Sequence, residues 1–205
     1  MAVINNFLNS DIVFIHIPKN GGTTVKKIFK GNREVKQIID FEYPKDLQNK
    51  FTFTFVRNPF DRFISAYSMY KNGFDDKYGS LKITNFKDRE TLEKMSPKEM
   101  IIHAKKKLDN CEPNSKEFID GAGFLFHIIP QTHKFNFLER SNYIGRFENF
   151  ENDLREICNI NNVSFRLPYY NKSIRDDYRS YYDDELIDLV SEFYYNDLKE
   201  LRYEF

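Results

Sequence analysis

Residues Asp11 to Lys30, DIVFIHIPKNGGTTVKKIFK, constrain the fold more than any other stretch of the chain. An apolar run (Ile12, Val13, Phe14, Ile15, Ile17) passes through Pro18-Lys19-Asn20-Gly21-Gly22 and resumes at helical spacing with Val25, Ile28 and Phe29. That pattern predicts strand, tight turn and helix. Two glycines let successive backbone N–H groups converge, and the helix presents its positive end at the same point. Lys19 adds a mobile positive charge, and Thr23 and Thr24 add hydroxyl donors. Taken alone, the stretch fits both an anion site and a plain Gly-Gly turn.

A second unit of the same kind follows in FTFTFVRNPFDRFISAYSMY. Phe51, Phe53 and Phe55 alternate with threonines, as a strand does. Asn58 is placed to cap a helix, Pro59 to occupy its first position, and Asp61 to complete a capping-box-like pattern. Phe60, Phe63, Ile64 and Tyr67 form the stripe to be buried, with Arg62 and Ser65 on a more polar face. Arg57 ends the strand at the edge where ligands collect in an open α/β sheet. A lone strand-end arginine is as readily a surface charge, but two such units can hold two anionic groups of one ligand.

The remainder bounds the answer more loosely. A chain of 205 residues suits one domain, 1–205. Lys+Arg and Asp+Glu are both 31, a balance that points to neither nucleic acid nor an acidic membrane as partner. No segment reaches the length of a membrane span. Two cysteines, Cys111 and Cys158, argue against a disulfide framework and fit a cytoplasmic protein. No HExxH or comparable ligand cluster is present, so no metal is expected.

Along the chain, Val35, Ile38 and Ile39 have short helical spacing. The polar stretch 71–137 reads as an insertion able to cover a cleft, with a helix starting near Ser96 and Pro97. Lys105, Lys106 and Lys107 read as solvated surface, and His127 and His133 as hydrogen-bonded structure. Tyr143, Ile144 and Phe147 predict a strand, and ENFENDLREICNI a helix that buries Cys158. The loop RLPYYNKSIRDDY is rich in donors, and Ile187, Val190, Tyr194, Leu198 and Leu201 mark one amphipathic helix.

Four separated pieces, in order, carry a family resemblance: FIHIPKNGGTT at 14–24, FVRNPFDRFISAY at 55–67, IGRFENFENDLREIC at 144–158 and LPYYNKS at 167–173. Together they resemble the sulfotransferases that use 3'-phosphoadenosine 5'-phosphosulfate (PAPS), above all the carbohydrate-type branch and its small bacterial relatives. The resemblance implies a P-loop-like α/β three-layer sandwich, with a central, mainly parallel sheet flanked by helices. It implies that Lys19, Asn20, Gly21, Gly22, Thr23 and Thr24 hold the 5'-phosphosulfate, and that Arg57 and Ser65 bind the 3'-phosphate. Lys172 and Ser173 fall where the family has a late cofactor-binding loop. Lys19 precedes the glycines, unlike the lysine of GxxxxGK[ST], which argues against an ordinary nucleotide kinase.

The implied reaction moves a sulfuryl group from PAPS to a hydroxyl, on a carbohydrate or similar polar acceptor, releasing 3',5'-ADP without a metal. Lys19 stabilises the leaving group, and a general base takes the acceptor proton. Related enzymes place a histidine between the two phosphate motifs, whereas this chain has none from Gly21 to Phe55. Glu34 is the first candidate base and His127, in an HxxPQ stretch, the second; His16 reads as structural. The alternative reading is a catalytically weak or inactive relative that keeps the nucleotide site as a binding module.

Overall fold

The computed structural model describes residues 2–30, 34–72, 89–111, 123–166 and 176–205. In chain order the elements are β1 (Ala2–Phe7), β2 (Ile12–His16), α1 (Gly22–Lys30), β3 (Val35–Asp40), β4 (Phe51–Val56), α2 (Pro59–Asn72), α3 (Arg89–Leu92) and α4 (Pro97–Asp109). They continue with α5 (Phe124–Ile128), β5 (Tyr143–Arg146), α6 (Phe150–Ile160), α7 (Asp184–Phe193) and α8 (Tyr195–Leu201). Two compact units divide them: Met1–Arg57 with Gln131–Ser173, and Asn58–Pro130 with Ile174–Phe205.

The first unit is built on a five-stranded sheet of order β3-β1-β2-β4-β5. β4 runs parallel to both β2 and β5, while β1 pairs antiparallel with β2 and β3. The sheet is therefore mixed, which corrects the expectation of a mainly parallel one. The cause is β1, a strand that the sequence patterns do not announce. Its tight connection to β2 leaves only antiparallel pairing open, since a parallel neighbour needs a long crossover.

β1 also explains why the helical spacing at Val35 and Ile38 misleads. Beside β1 the segment gains a ladder partner, and the two side chains go to opposite faces of the sheet. Val35 joins Phe7, Phe14, Phe53 and Phe55, which pack against Val25 and Phe29 of α1 and Leu154, Ile157 and Cys158 of α6. Ile38 joins Ile4, Val13, Ile15 and Ile17 with Leu47 and Phe137 on the other face. As expected, Cys158 is buried, and burial pushes its thiol up to about 11. Thr52 and Thr54 of β4 are buried as well, and Thr54 Oγ1 donates to the carbonyl of Ile15 at 2.8 Å. That bond satisfies a hydroxyl between the two strands that frame the site.

In the second unit the start of α2 shows the expected proline and asparagine cap. Pro59 opens the helix, Asn58 Oδ1 accepts from the N–H of Phe60 at 3.0 Å, and Phe60, Phe63 and Ile64 are buried. Arg62 departs from the expected polar face, being wholly buried. Its guanidinium donates to the carbonyls of Ile129 (2.9 Å) and His127 (3.2 Å), at the end of α5. Helix α4 begins with a reciprocal Ser96–Glu99 capping box. Lys98 pairs with Asp183 and Glu185, and Lys105 with Glu192, so one lysine read as solvated surface bridges to α7. The final amphipathic segment is two helices rather than one, broken at buried Tyr194, whose hydroxyl donates to the carbonyl of Ile128.

Replacing Arg62 by leucine keeps an apolar stem but takes the Arg62 donor from one buried and one part-buried carbonyl. The expected loss is about 2 kcal/mol or more in urea unfolding. A midpoint equal to wild type would show that Arg62 is dispensable to the second unit.

Candidate functional site

Parallel register decides what reaches the site edge. Ile15 of β2 pairs with Thr54 of β4, and Val56 of β4 with Arg146 of β5, so all three strands end at one side of the sheet. The turn after β2, Arg57 after β4 and Phe147 after β5 consequently collect there.

The turn itself has the backbone of an anion cradle. Lys19 and Gly21 have φ of 70° and 79°, flanking buried Asn20. Gly21 caps α1, its carbonyl accepting from the N–H groups of Thr24 (3.0 Å) and Val25 (3.3 Å). The N–H groups of Gly22 and Thr23, in the first turn, have no intrahelical partner and point out of the positive helix end. Thr23 is exposed, Thr24 is buried, and Lys19 is half-buried.

Packing requires both glycines, and conformation requires Gly21 as well. A Cβ on Gly21 would lie 2.6 Å from the Phe150 ring, in a backbone conformation that L side chains rarely adopt. A Cβ on Gly22 would collide with the His16 imidazole. His16 therefore forms the floor of the turn and also stacks on Phe14, the structural part expected for it.

Arg57 is brought onto this turn. It is 7% exposed, and its Nη1 donates to the carbonyl of Lys19 at 3.0 Å. Its guanidinium carbon lies 4.0 Å from the centre of the Phe147 ring, a cation–π contact that holds the fork flat. The Phe147 ring in turn packs on Phe150, which braces Gly21. On the backbone side, Gln131 Oε1 accepts from the N–H of Arg57 (2.9 Å) and Nε2 donates to its carbonyl (2.8 Å). Asn20 Nδ2 reaches the same Gln131 Oε1 (2.9 Å) and the carbonyl of Phe55 (2.7 Å).

The remaining expected residues are distributed as follows. Ser65 lies half-buried on α2, in the second unit. His127, also in the second unit, is held through Nδ1 by the Tyr70 hydroxyl (3.0 Å) and the Gly123 carbonyl (3.2 Å). Lys172 and Ser173 lie outside the described residues. His133 caps a short 3-10 turn, accepting from the N–H of Phe135, and burial pushes it down to about 4, so it is neutral at physiological pH.

Glu34 is not brought to the turn. β3 runs from Val35, opposite Phe7, to Asp40, opposite Ala2, while Val3 lies opposite His16. Glu34 thus precedes the end of β3 remote from the turn, roughly 17 Å along the strand from the edge it was expected to serve. The carboxylate that register brings to the near edge is Asp40, whose Oδ1 accepts from the N–H groups of Phe41 and Glu42.

Sequence reasoning missed Gln131, Phe147 as a partner of Arg57, and Asp40. For Gln131 the signal was present: one amide after the apolar run FLFHIIP. Among the described residues, no cluster of three or more His, Cys, Asp or Glu could hold a metal ion, and no helix is long and apolar enough to cross a membrane.

The steric argument predicts that Gly22→Ala folds but displaces the His16 ring and weakens anion binding by roughly tenfold. Titration with inorganic sulfate or pyrophosphate checks this, and an unchanged affinity would remove Gly22 from the cradle.

A family model described as "Sulfotransferase family" matches residues 8–204, and so runs through both units. No curated protein and no solved structure matches the chain.

Proposed function

The chain belongs to the sulfotransferase family, and from that premise we propose that it transfers a sulfuryl group from PAPS to an acceptor hydroxyl on a carbohydrate. The observation that carries this reading is the bond from Arg57 Nη1 to the Lys19 carbonyl. It sets a second cation beside a turn that already offers converging N–H groups, as a donor with two phosphate ends requires. No carboxylate side chain occurs from Ile12 to Arg33 in the sequence, so the stretch containing the turn suits an anion.

The donor contributes an activated sulfuryl group, and the chain contributes position and charge. Lys19 and the N–H groups of Gly22 and Thr23 face the 5' end and stabilise the charge that builds on the leaving oxygen. Arg57, with Ser65, Lys172 and Ser173, is assigned to the remaining phosphate and ribose. In the balanced step the acceptor oxygen bonds to sulfur, the bond from sulfur to the bridging oxygen of 3',5'-ADP breaks, and the hydroxyl proton passes to a base. Because Glu34 lies at the remote edge, we assign that base to Asp40. We read 1–205 as a single catalytic domain in which residues 71–137 shape the acceptor side. The scarcity of cysteine supports a cytoplasmic setting.

Calorimetric titration tests the donor assignment. 3',5'-ADP should bind more tightly than 5'-AMP or ATP, and Arg57→Ala should lose roughly tenfold or more of that preference. Equal binding of all three nucleotides, or none, would overturn the assignment.

The second reading, a nucleotide-binding module without turnover, is favoured by one observation: there is no histidine between the two phosphate motifs. Labelled sulfate transfer to a panel of glycans and phenols separates the two. For an enzyme, Asp40→Asn should lower kcat by about a hundredfold or more with 3',5'-ADP affinity kept, and Glu34→Gln should leave kcat near wild type. The reverse pattern would return the base to Glu34, and nucleotide binding without transfer to any acceptor would establish the module.

A further inference from the structure

Gln131 is wholly buried and spends its amide on the two segments that make up the candidate site. The orientation of that amide is dictated by the backbone of Arg57. The N–H of Arg57 can only donate, so it faces Oε1; its carbonyl can only accept, so it faces Nε2. Oε1 then has room for one more donor, and Asn20 supplies it through Nδ2. The same Nδ2 also donates to the carbonyl of Phe55. Asn20 Oδ1 is buried without a hydrogen-bond partner, so the two acceptors on Nδ2 define how this amide is turned. The chain of polarity runs one way, from Arg57 through Gln131 to Asn20, and no step of it can be inverted.

Asn20 lies between Lys19 and Gly21, the two residues of the turn with positive φ. Arg57 directly follows β4 and carries the guanidinium that bonds the Lys19 carbonyl. We propose that Gln131 is a positioning residue for the nucleotide site. It locks the turn that holds one phosphate to the strand end that holds the other, so that a ligand with two phosphates meets a preset spacing. This rests on the PAPS reading above. Loss of the clamp should therefore penalise a ligand that uses both ends more than a ligand that uses one. A residue that merely supported the fold would weaken both equally, because unfolded protein binds neither.

The experiment compares 3',5'-ADP with 5'-AMP on the full chain. Gln131→Met keeps length and volume but removes these three hydrogen bonds. Gln131→Glu keeps the acceptor and sets a carboxylate oxygen against the Arg57 carbonyl. In each folded variant, the ratio of the 5'-AMP to the 3',5'-ADP dissociation constant should fall by about tenfold. Adding Asn20→Ala to Gln131→Met should lower the ratio no further, since both act through one network. An unchanged ratio in either folded variant, or independent additive losses, overturns the proposal. The wild type supplies a test that needs no variant: the Arg57 amide should be as protected from hydrogen exchange as its β4 neighbours, and exchange at the rate of an open loop overturns the clamp. Failure of the nucleotide reading would look different, because the wild type would then show no preference for 3',5'-ADP while the Arg57 amide stayed protected.

Discussion

Parallel pairing of β2 with β4 is the constraint from which the rest of the site follows. Two adjacent strands that run the same way must end at the same edge, and each here continues into a turn and a helix start. The cation at the end of β4 and the N–H groups after β2 are thereby brought together without any long-range search by flexible loops. The core makes that pairing rigid. Phe14 stacks on Phe53 with ring centres 5.2 Å apart, and Phe53 meets Phe29 of α1 at 4.9 Å. The helix that offers its positive end to the turn is thus packed on both strands that frame the turn.

Rigidity at the edge comes from several contacts on one residue. Arg57 gives one nitrogen to the Lys19 carbonyl and one face of its guanidinium to Phe147, while its main chain is held by Gln131. The bond and the ring contact hold the guanidinium at the edge from two directions. The glycines serve the same end from the other side. Their missing side chains let the Phe150 and His16 rings press directly on the turn, so the backbone is held by packing.

What the sequence shows of this site is what depends on neighbours in the chain. The strand, turn and helix of Ile12–Lys30, the Asn58–Pro59 helix start and the Ser96 cap are local patterns, and each is present. What stays hidden depends on partners far along the chain. Gln131 meets Asn20 across 111 positions and Arg57 across 74, and Arg62 meets Ile129 across 67, separations over which no spacing rule operates. The position of Glu34 was hidden for a related reason. It follows α1 closely in sequence, but a crossover returns the chain to the opposite edge of the sheet before the next strand begins. Missing β1 compounded this, since only the β1–β3 register reveals which end of β3 faces the turn.

The turn with its bracing residues and the residue proposed for acceptor chemistry differ in how strongly the fold enforces them. Lys19, Asn20, Arg57 and Gln131 belong to one compact unit and depend on one another, so a substitution at any of them disturbs the rest. Asp40 stands apart at the end of an edge strand, exposed, with only its own turn to satisfy. Loss of such a residue would leave the cradle, the clamp and the core intact. On the proposed assignments, turnover would be lost in a single step with the nucleotide site kept, which is why nucleotide affinity alone does not separate enzyme from binding module and transfer to an acceptor does.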